Sequence, residues 1–435
     1  MPTFRAPDRA GPPGDARKPA AMRARNGSVL PFTILVVSLV TALALRAQQI
    51  PPPQIPAQQV PAQQLPAPDP NDTARFLAAM PLQKNSPLYP LTNNPAWQAH
   101  ADYFEQAFSK LSRGKLARLH AWQRQYLPES LEPIPVAYYM FSGPDFLYVD
   151  QFFPNASVYI MCGKEAIGPA PDPLRIGDLR WALQNLENAM KASLTTTYFI
   201  TQEMKVDLQQ QQLNGTLPIL YVFLARADKT IRAVTFVRLD SAGNEHQSAP
   251  GAGGTPGVRI DYTDSATGRE QTVYYFTTDI SDGGIGANPA FMKFCGHHGI
   301  GVSFLKSSSY LMFEDGFARI RNFILDHSNI VVQDDSGIPI TYFNRDKWNL
   351  RFFGTYVGPI ELFKKYYQPK LTELYQASNP APFDIGFGYQ WDYHKSNLMV
   401  AQRGAASIER ESAKAETPSG RGSNHRSWVS RLWPR

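Results

Sequence analysis

The stretch Tyr138–Glu165, YYMFSGPDFLYVDQFFPNASVYIMCGKE, reads as a strand, a tight Gly-Pro-Asp turn, a short helix, and a second strand that ends on a carboxylate. Val136–Phe141 and Val158–Cys162 are the strands, and the helix starts at Asp145. The same alternation continues downstream. A long helix carries Leu179, Leu183, Leu186, Met190 and Leu194 on one stripe, and further strands are predicted at Ala233–Leu239, Val258–Tyr262, Thr272–Thr278, Gly301–Leu305 and Asn329–Gln333, with helices at Asn288–His297 and Phe317–His327. RIDYTDSATGREQTVYYF reads as a hairpin on a glycine turn, so some pairs are antiparallel. The expected fold is α/β, a mixed-sheet Rossmann-like sandwich.

Upstream, Trp97, Phe104, Phe108, Leu111 and Leu116 fall near helical spacing and predict two helices broken around Gly114, a helical preface over residues 71–130 before the α/β domain at 131–401. Outside these limits the composition changes. Arg23 and Arg25 precede an apolar run, Val29–Leu45, that ends in Ala42-Leu43-Ala44 and fits an export signal with a small-residue cleavage site. Met22 stands where such a signal begins, so residues 1–47 read as an export signal with an over-extended start. At roughly 17 residues the run also reaches the lower limit of an uncleaved inner-membrane anchor. Residues 48–70 repeat Pro-Ala-Gln-Gln and form a Pro/Gln-rich linker, and residues 402–435 form a disordered basic tail. The protein is therefore expected to be exported, periplasmic or extracellular.

The formal charge of +6 belongs to these ends. Residues 1–47 carry +5 and residues 403–435 carry +4, which leaves −3 for the folded part. A slightly acidic domain has no electrostatic footprint for nucleic acid, so no nucleic-acid partner is expected.

In nucleotide-binding α/β folds the first strand ends in a glycine turn, and an acid at the end of the second strand takes the ribose hydroxyls. Ser142, Gly143, Asp145 and Glu165 are the candidate ligand-binding residues on that pattern, and the 22 residues from Gly143 to Glu165 agree with the usual spacing of about 20. In outline Tyr138–Glu165 resembles the first half of the class I methyltransferase family, with one departure: FSGPD has a single glycine, and Pro144 removes an amide. The alternative is that Asp145 only caps its helix and Glu165 is a surface residue at a strand end. Tyr138–Glu165 together with QDDSGIPITYF, Gln333–Phe343, also resembles a family of exported bacterial proteins of unassigned activity; that resemblance implies export and an α/β fold and no reaction.

Other chemistry-bearing residues read as structure. Cys295, His297 and His298 sit at a helix end closed by Gly299, where histidine favours the dipole, and no metal is expected. Asp334 and Asp335 of QDDSG offer paired carboxylates, but Asp-Ser-Gly between apolar runs predicts a hairpin turn with Gly337 at positive φ. SDGGIGANPAF is glycine-rich before a helix and lacks the third glycine of a phosphate fingerprint. Ser303 and Lys306 match a Ser-x-x-Lys dyad by letters only, since residues three apart on a strand face opposite sides. An oxidising compartment allows a disulfide between Cys162 and Cys295, against which stands the apolar setting of Cys162. No catalytic group and no cofactor are expected. The expected function is an exported envelope protein that binds a small molecule or an envelope partner without catalysis, the alternative being a degenerate methyltransferase-like enzyme or nucleotide-binding protein.

Overall fold

A computed structural model of the chain describes residues 68–198, 213–248, 253–391 and 394–404. The export segment and nearly all of the Pro/Gln linker and the basic tail lie outside them. Among the described residues no helix is long and apolar enough to cross a membrane.

The chain opens with α1 (Pro70–Leu77), capped by the Asp69 carboxylate on the Asn71 and Asp72 amides, and α2 (Pro95–Leu111), capped by Asn94. The expected break at Gly114 does not occur. Residues Ser112–Leu116 form one π-helical turn that runs into α3 (Ala117–Tyr126). The reason is legible afterwards: Leu111 and Leu116 are five residues apart, and the extra residue of a π turn returns Leu116, Leu119 and Trp122 to the buried face begun by Phe104 and Phe108. A lone mid-helix glycine costs only about 1 kcal/mol, which that burial exceeds.

Strands and helices then alternate: β1 (Ile134–Tyr139), α4 (Phe146–Phe152), β2 (Ala156–Gly163), α5 (Leu179–Thr196), α6 (Leu217–Arg226), β3 (Lys229–Leu239), β4 (Glu245–Gln247), β5 (Thr255–Asp264), β6 (Glu270–Thr277), α7 (Asp282–Ala287), α8 (Ala290–His297), β7 (Gly301–Leu305), α9 (Ala318–His327), β8 (Ser328–Gln333), β9 (Trp348–Gly354), α10 (Pro369–Ser378) and β10 (Asn397–Arg403). The strands form one mixed sheet in the order β4-β3-β5-β6-β2-β1-β7-β8-β10-β9. Its centre, β6-β2-β1-β7-β8, is parallel, and both flanks are antiparallel. The predicted β5–β6 hairpin is present. β10 runs to Arg403, two residues past the expected end of the domain.

Both faces of the sheet are buried. Ala137 and Tyr139 of β1 point into a core with residues of α2 to α6, whereas Tyr138 and Met140 point into a second core with residues of α8, α9 and α10. Central strands covered on both sides have no solvent face, which is why β1 and β2 are nearly uninterrupted in apolar and aromatic residues. The chain leaves β1 toward β2 and β6, then crosses to β7 and β8 on the other side. The order therefore reverses between β1 and β7, and the chain continues from β1 into α4 on one face of the sheet and from β7 into α9 on the other.

One expectation fails in this frame. QDDSG is not a hairpin: β8 pairs with β7 and β10, Gly337 keeps its φ outside the left-handed region, and the Gln333 amide closes the turn by bonding the Ile338 amide and carbonyl. A side chain that satisfies both backbone groups removes the need for a returning strand, and the chain goes on into a short turn at Ile340–Tyr342. For the cysteines the sequence leaves two alternatives, a bridge or free thiols. Cys162 and Cys295 are buried free thiols in the same core, and the Cys162 thiol donates to the Met140 carbonyl at 2.9 Å.

Candidate functional site

A cavity of about 380 Å³ opens at the carboxyl ends of β1, β2, β6 and β7, where the strand order reverses. Most of its wall comes from four short segments: Tyr139–Gly143 at the end of β1, Cys162–Glu165 at the end of β2, Thr278–Ile280 after β6, and Lys306–Ser309 after β7. Ser142, Gly143, Asp145 and Glu165, the four residues singled out from sequence, all line it.

The ends of β1 and β2 meet closely. Gly143 takes φ +50°, in the left-handed region that favours glycine, and a Cβ on Gly163 would lie 2.4 Å from Glu165 Oε2 and 2.6 Å from the Tyr275 hydroxyl. Glycine at 163 thus leaves the space that the Glu165 carboxylate occupies. Ser142 donates across the gap to the Cys162 carbonyl at 3.3 Å, and Thr277 donates to the Glu165 carbonyl at 2.8 Å. Glu165 is only 8% exposed, so the surface reading of this residue fails.

Asp145 also departs from its alternative reading. It occupies the N-cap position of α4 but makes no capping hydrogen bond. Its Oδ2 instead accepts from the Lys306 ammonium at 2.5 Å and from the Tyr139 hydroxyl at 2.9 Å. Both partners are excluded from water, with Asp145 and Lys306 each 2% exposed. Burial pushes the Asp145 carboxyl up and the Lys306 amine down, and each is held toward its charged form by the other. The ammonium is otherwise satisfied: it donates to the Thr197 carbonyl and lies 3.7 Å from the centre of the Tyr148 ring. Asp145 Oδ1 remains buried without a hydrogen-bond partner. The Tyr148 amide favours its charged form slightly but does not reach hydrogen-bond geometry.

The segment after β7 is the part sequence reasoning missed. In Lys306-Ser-Ser-Ser-Tyr310 three non-glycine residues, Ser307, Ser309 and Tyr310, adopt left-handed φ between 52° and 54°. Each such residue costs on the order of 1–2 kcal/mol unless its surroundings hold it. The two acids dismissed as a turn do so. Asp334 Oδ2 accepts from the Ser307 amide at 3.0 Å, Ser336 accepts from the Ser308 amide at 2.8 Å, and Asp335 accepts from the Tyr310 hydroxyl at 2.6 Å and from Asn397 at 3.0 Å. Burial, and then the adjacent Asp335, push the Asp334 carboxyl up to about 7. Burial likewise raises Asp335.

Ser303 and Lys306 do not form a dyad. The Ser303 hydroxyl lies inside the sheet, 2.7 Å from that of Ser328, while Lys306 faces Asp145. Cys295 is buried and His298 ends α8 before Gly299 at φ +74°; among the described residues no three metal-ligating side chains converge. SDGGIGANPAF forms α7 and the start of α8, with Ser281 capping on the Gly284 amide. The site can therefore offer carboxylate and hydroxyl acceptors, two Lys–Asp pairs, Lys306–Asp145 and Lys164–Asp279, and the aromatic residues Phe141, Phe317 and Tyr389. Comparison with protein-family models, with curated proteins and with solved structures finds no match to this chain.

Proposed function

We propose that this is an exported envelope protein that holds a small, hydroxyl-bearing molecule in the crevice between β1 and β7, without catalysing a reaction on it. The observation that carries this reading is the gathering of Ser142, Gly143, Asp145 and Glu165, from two separate loops, around one cavity at the point where the strand order reverses. Glu165 would accept hydrogen bonds from the ligand hydroxyls. Asp145 beside the crevice disfavours a phosphate.

A second reading, a methyltransferase-like or nucleotide-binding protein on a Rossmann-like sandwich, is favoured by one further observation. The reversed strand β10 lies between β8 and β9, next to five parallel strands, which is the arrangement that a resemblance to class I methyltransferases implies. Mass spectrometry of small molecules retained by protein purified from its own envelope separates the two: a nucleoside-containing ligand supports the second, any other hydroxylated molecule the first.

Glu165→Gln tests the site itself. Losing a charged acceptor costs roughly 1.5–3 kcal/mol, so affinity for the retained ligand should fall about tenfold to a hundredfold. Unchanged affinity with lowered stability would make Glu165 a structural residue. Export is tested by fusing an enzyme active only outside the cytoplasm after Pro70; activity is expected, and a silent fusion beside a working cytoplasmic reporter refutes it.

A further inference from the structure

We infer that the ligand of this crevice carries a protonated amine, and that the amine docks on Oδ1 of Asp145; the inference rests on reading the crevice as the binding site. Charge on the wall is unbalanced. The carboxyls of Asp145, Glu165 and Asp279 line the crevice against the ammonium groups of Lys306 and Lys164, and Asp334, behind the wall, acts on Lys306 together with Asp145. Lys164 is exposed and paired with Asp279 at 2.9 Å, and Lys115, the other nearby cation, is half-buried outside the lining. A buried site short of positive charge gains most from a ligand that supplies it.

Lys306 cannot make up the deficit by turning. Its donors are spent on Asp145 Oδ2, the Thr197 carbonyl and the Tyr148 ring, and Tyr139 also donates to Oδ2. Oδ1 is left as a buried acceptor on a cavity-lining residue that is 2% exposed. Ser307 and Ser308 line the same cavity, and their hydroxyl oxygens are likewise buried without a partner; Ser308 is 1% exposed. An ammonium group has three donors and a positive charge, so it suits a buried carboxylate oxygen such as Oδ1 with hydroxyl-bearing residues on the same wall. A neutral hydroxyl brings one donor and no charge. A phosphate or carboxylate would meet Asp145 as a like charge.

The test uses the full chain and two probes matched in size, ethanolamine and ethylene glycol, read by calorimetric titration and by shift of the thermal midpoint. Saturable binding of ethanolamine at least tenfold tighter than of ethylene glycol is expected, and it should be lost in Asp145→Asn. Equal affinity, preference for the glycol, or no binding of either probe overturns the inference, as does ethanolamine binding that Asp145→Asn leaves unchanged. If that variant does not fold, a carbon-13 carboxyl titration of the wild-type chain replaces it: one buried aspartate carboxyl must shift saturably with ethanolamine, and no shift overturns the inference. Failure here is distinct from failure of the site. Glycol binding that Glu165→Gln abolishes, with no preference for the amine, leaves the crevice as the site and removes only the amine.

Discussion

Replacing Lys306 by methionine tests the architecture of the wall most directly. The substitution keeps a flexible chain of similar length against Tyr148 and removes the cation that Asp145 faces at 2.5 Å. Taking one partner from a fully buried pair leaves an uncompensated charge, which costs about 3–5 kcal/mol. Asp145 can escape part of that penalty by protonating, because its carboxyl is already pushed above its ordinary value of 3.8 by burial. The sign follows from linkage. A carboxyl raised in the folded state binds its proton more tightly there, so the variant keeps stability below the unfolded value and loses it as pH rises, by about 1.4 kcal/mol per unit, until the folded carboxyl ionises. Urea denaturation of Lys306→Met should therefore show a deficit against wild type that is larger at pH 7 than at pH 5, by up to about 3 kcal/mol. Adding Asp145→Leu should recover most of it, since an apolar pair of similar volume replaces a buried ion pair at little net cost. A deficit below about 1 kcal/mol, or one that is simply additive with Asp145→Leu, would mean that the pair is not held as described.

Two further outcomes are expected. Because the Asp334 carboxyl is raised to about 7 from its ordinary 3.8, its own contribution to stability should be full near pH 4, fall as pH rises toward 7, and level off above; the difference in thermal midpoint between wild type and Asp334→Asn, measured from pH 4 to 9, checks this and should shift against wild type over that interval. Gly163→Ala places a methyl 2.4 Å from Glu165 Oε2 and 2.6 Å from the Tyr275 hydroxyl, so it should displace the Glu165 carboxylate and weaken retention of the ligand by about as much as Glu165→Gln, tenfold or more, which a ligand-retention assay reads.

Much of the parallel core was legible because its strands are short apolar runs separated by turn residues. Gly301–Leu305 was placed to the residue, and β1, β2, β6 and β8 to within about two at each end. α6 escaped because it has no polar face: every residue from Leu217 to Ala225 is buried, so the 3.6-residue period that identifies a surface helix is absent. β9 and β10 escaped because a strand far along the chain gains its identity from its pairing partners, which local composition does not name.

The site divides along the same line. Glycine, proline and a carboxylate at set spacing announce a turn and a strand end, so the β1 and β2 loops could be read from one contiguous stretch. The wall after β7 could not be. What makes Lys306-Ser-Ser-Ser-Tyr310 distinctive is backbone strain, and strain is visible only with the partners that hold it, Asp334, Ser336 and Asp335, 25 to 28 residues away. Asp-Asp-Ser-Gly reads locally as a hairpin turn, and the tertiary structure overrides that preference because Gln333 satisfies the backbone that a hairpin would otherwise pair. A buried acid with no local reason to be buried is the remaining trace of a site in such a sequence. Asp145, Asp334 and Asp335 are such acids among the described residues, and each is explained by the partner it holds: the Lys306 ammonium, the Ser307 amide and the Tyr310 hydroxyl.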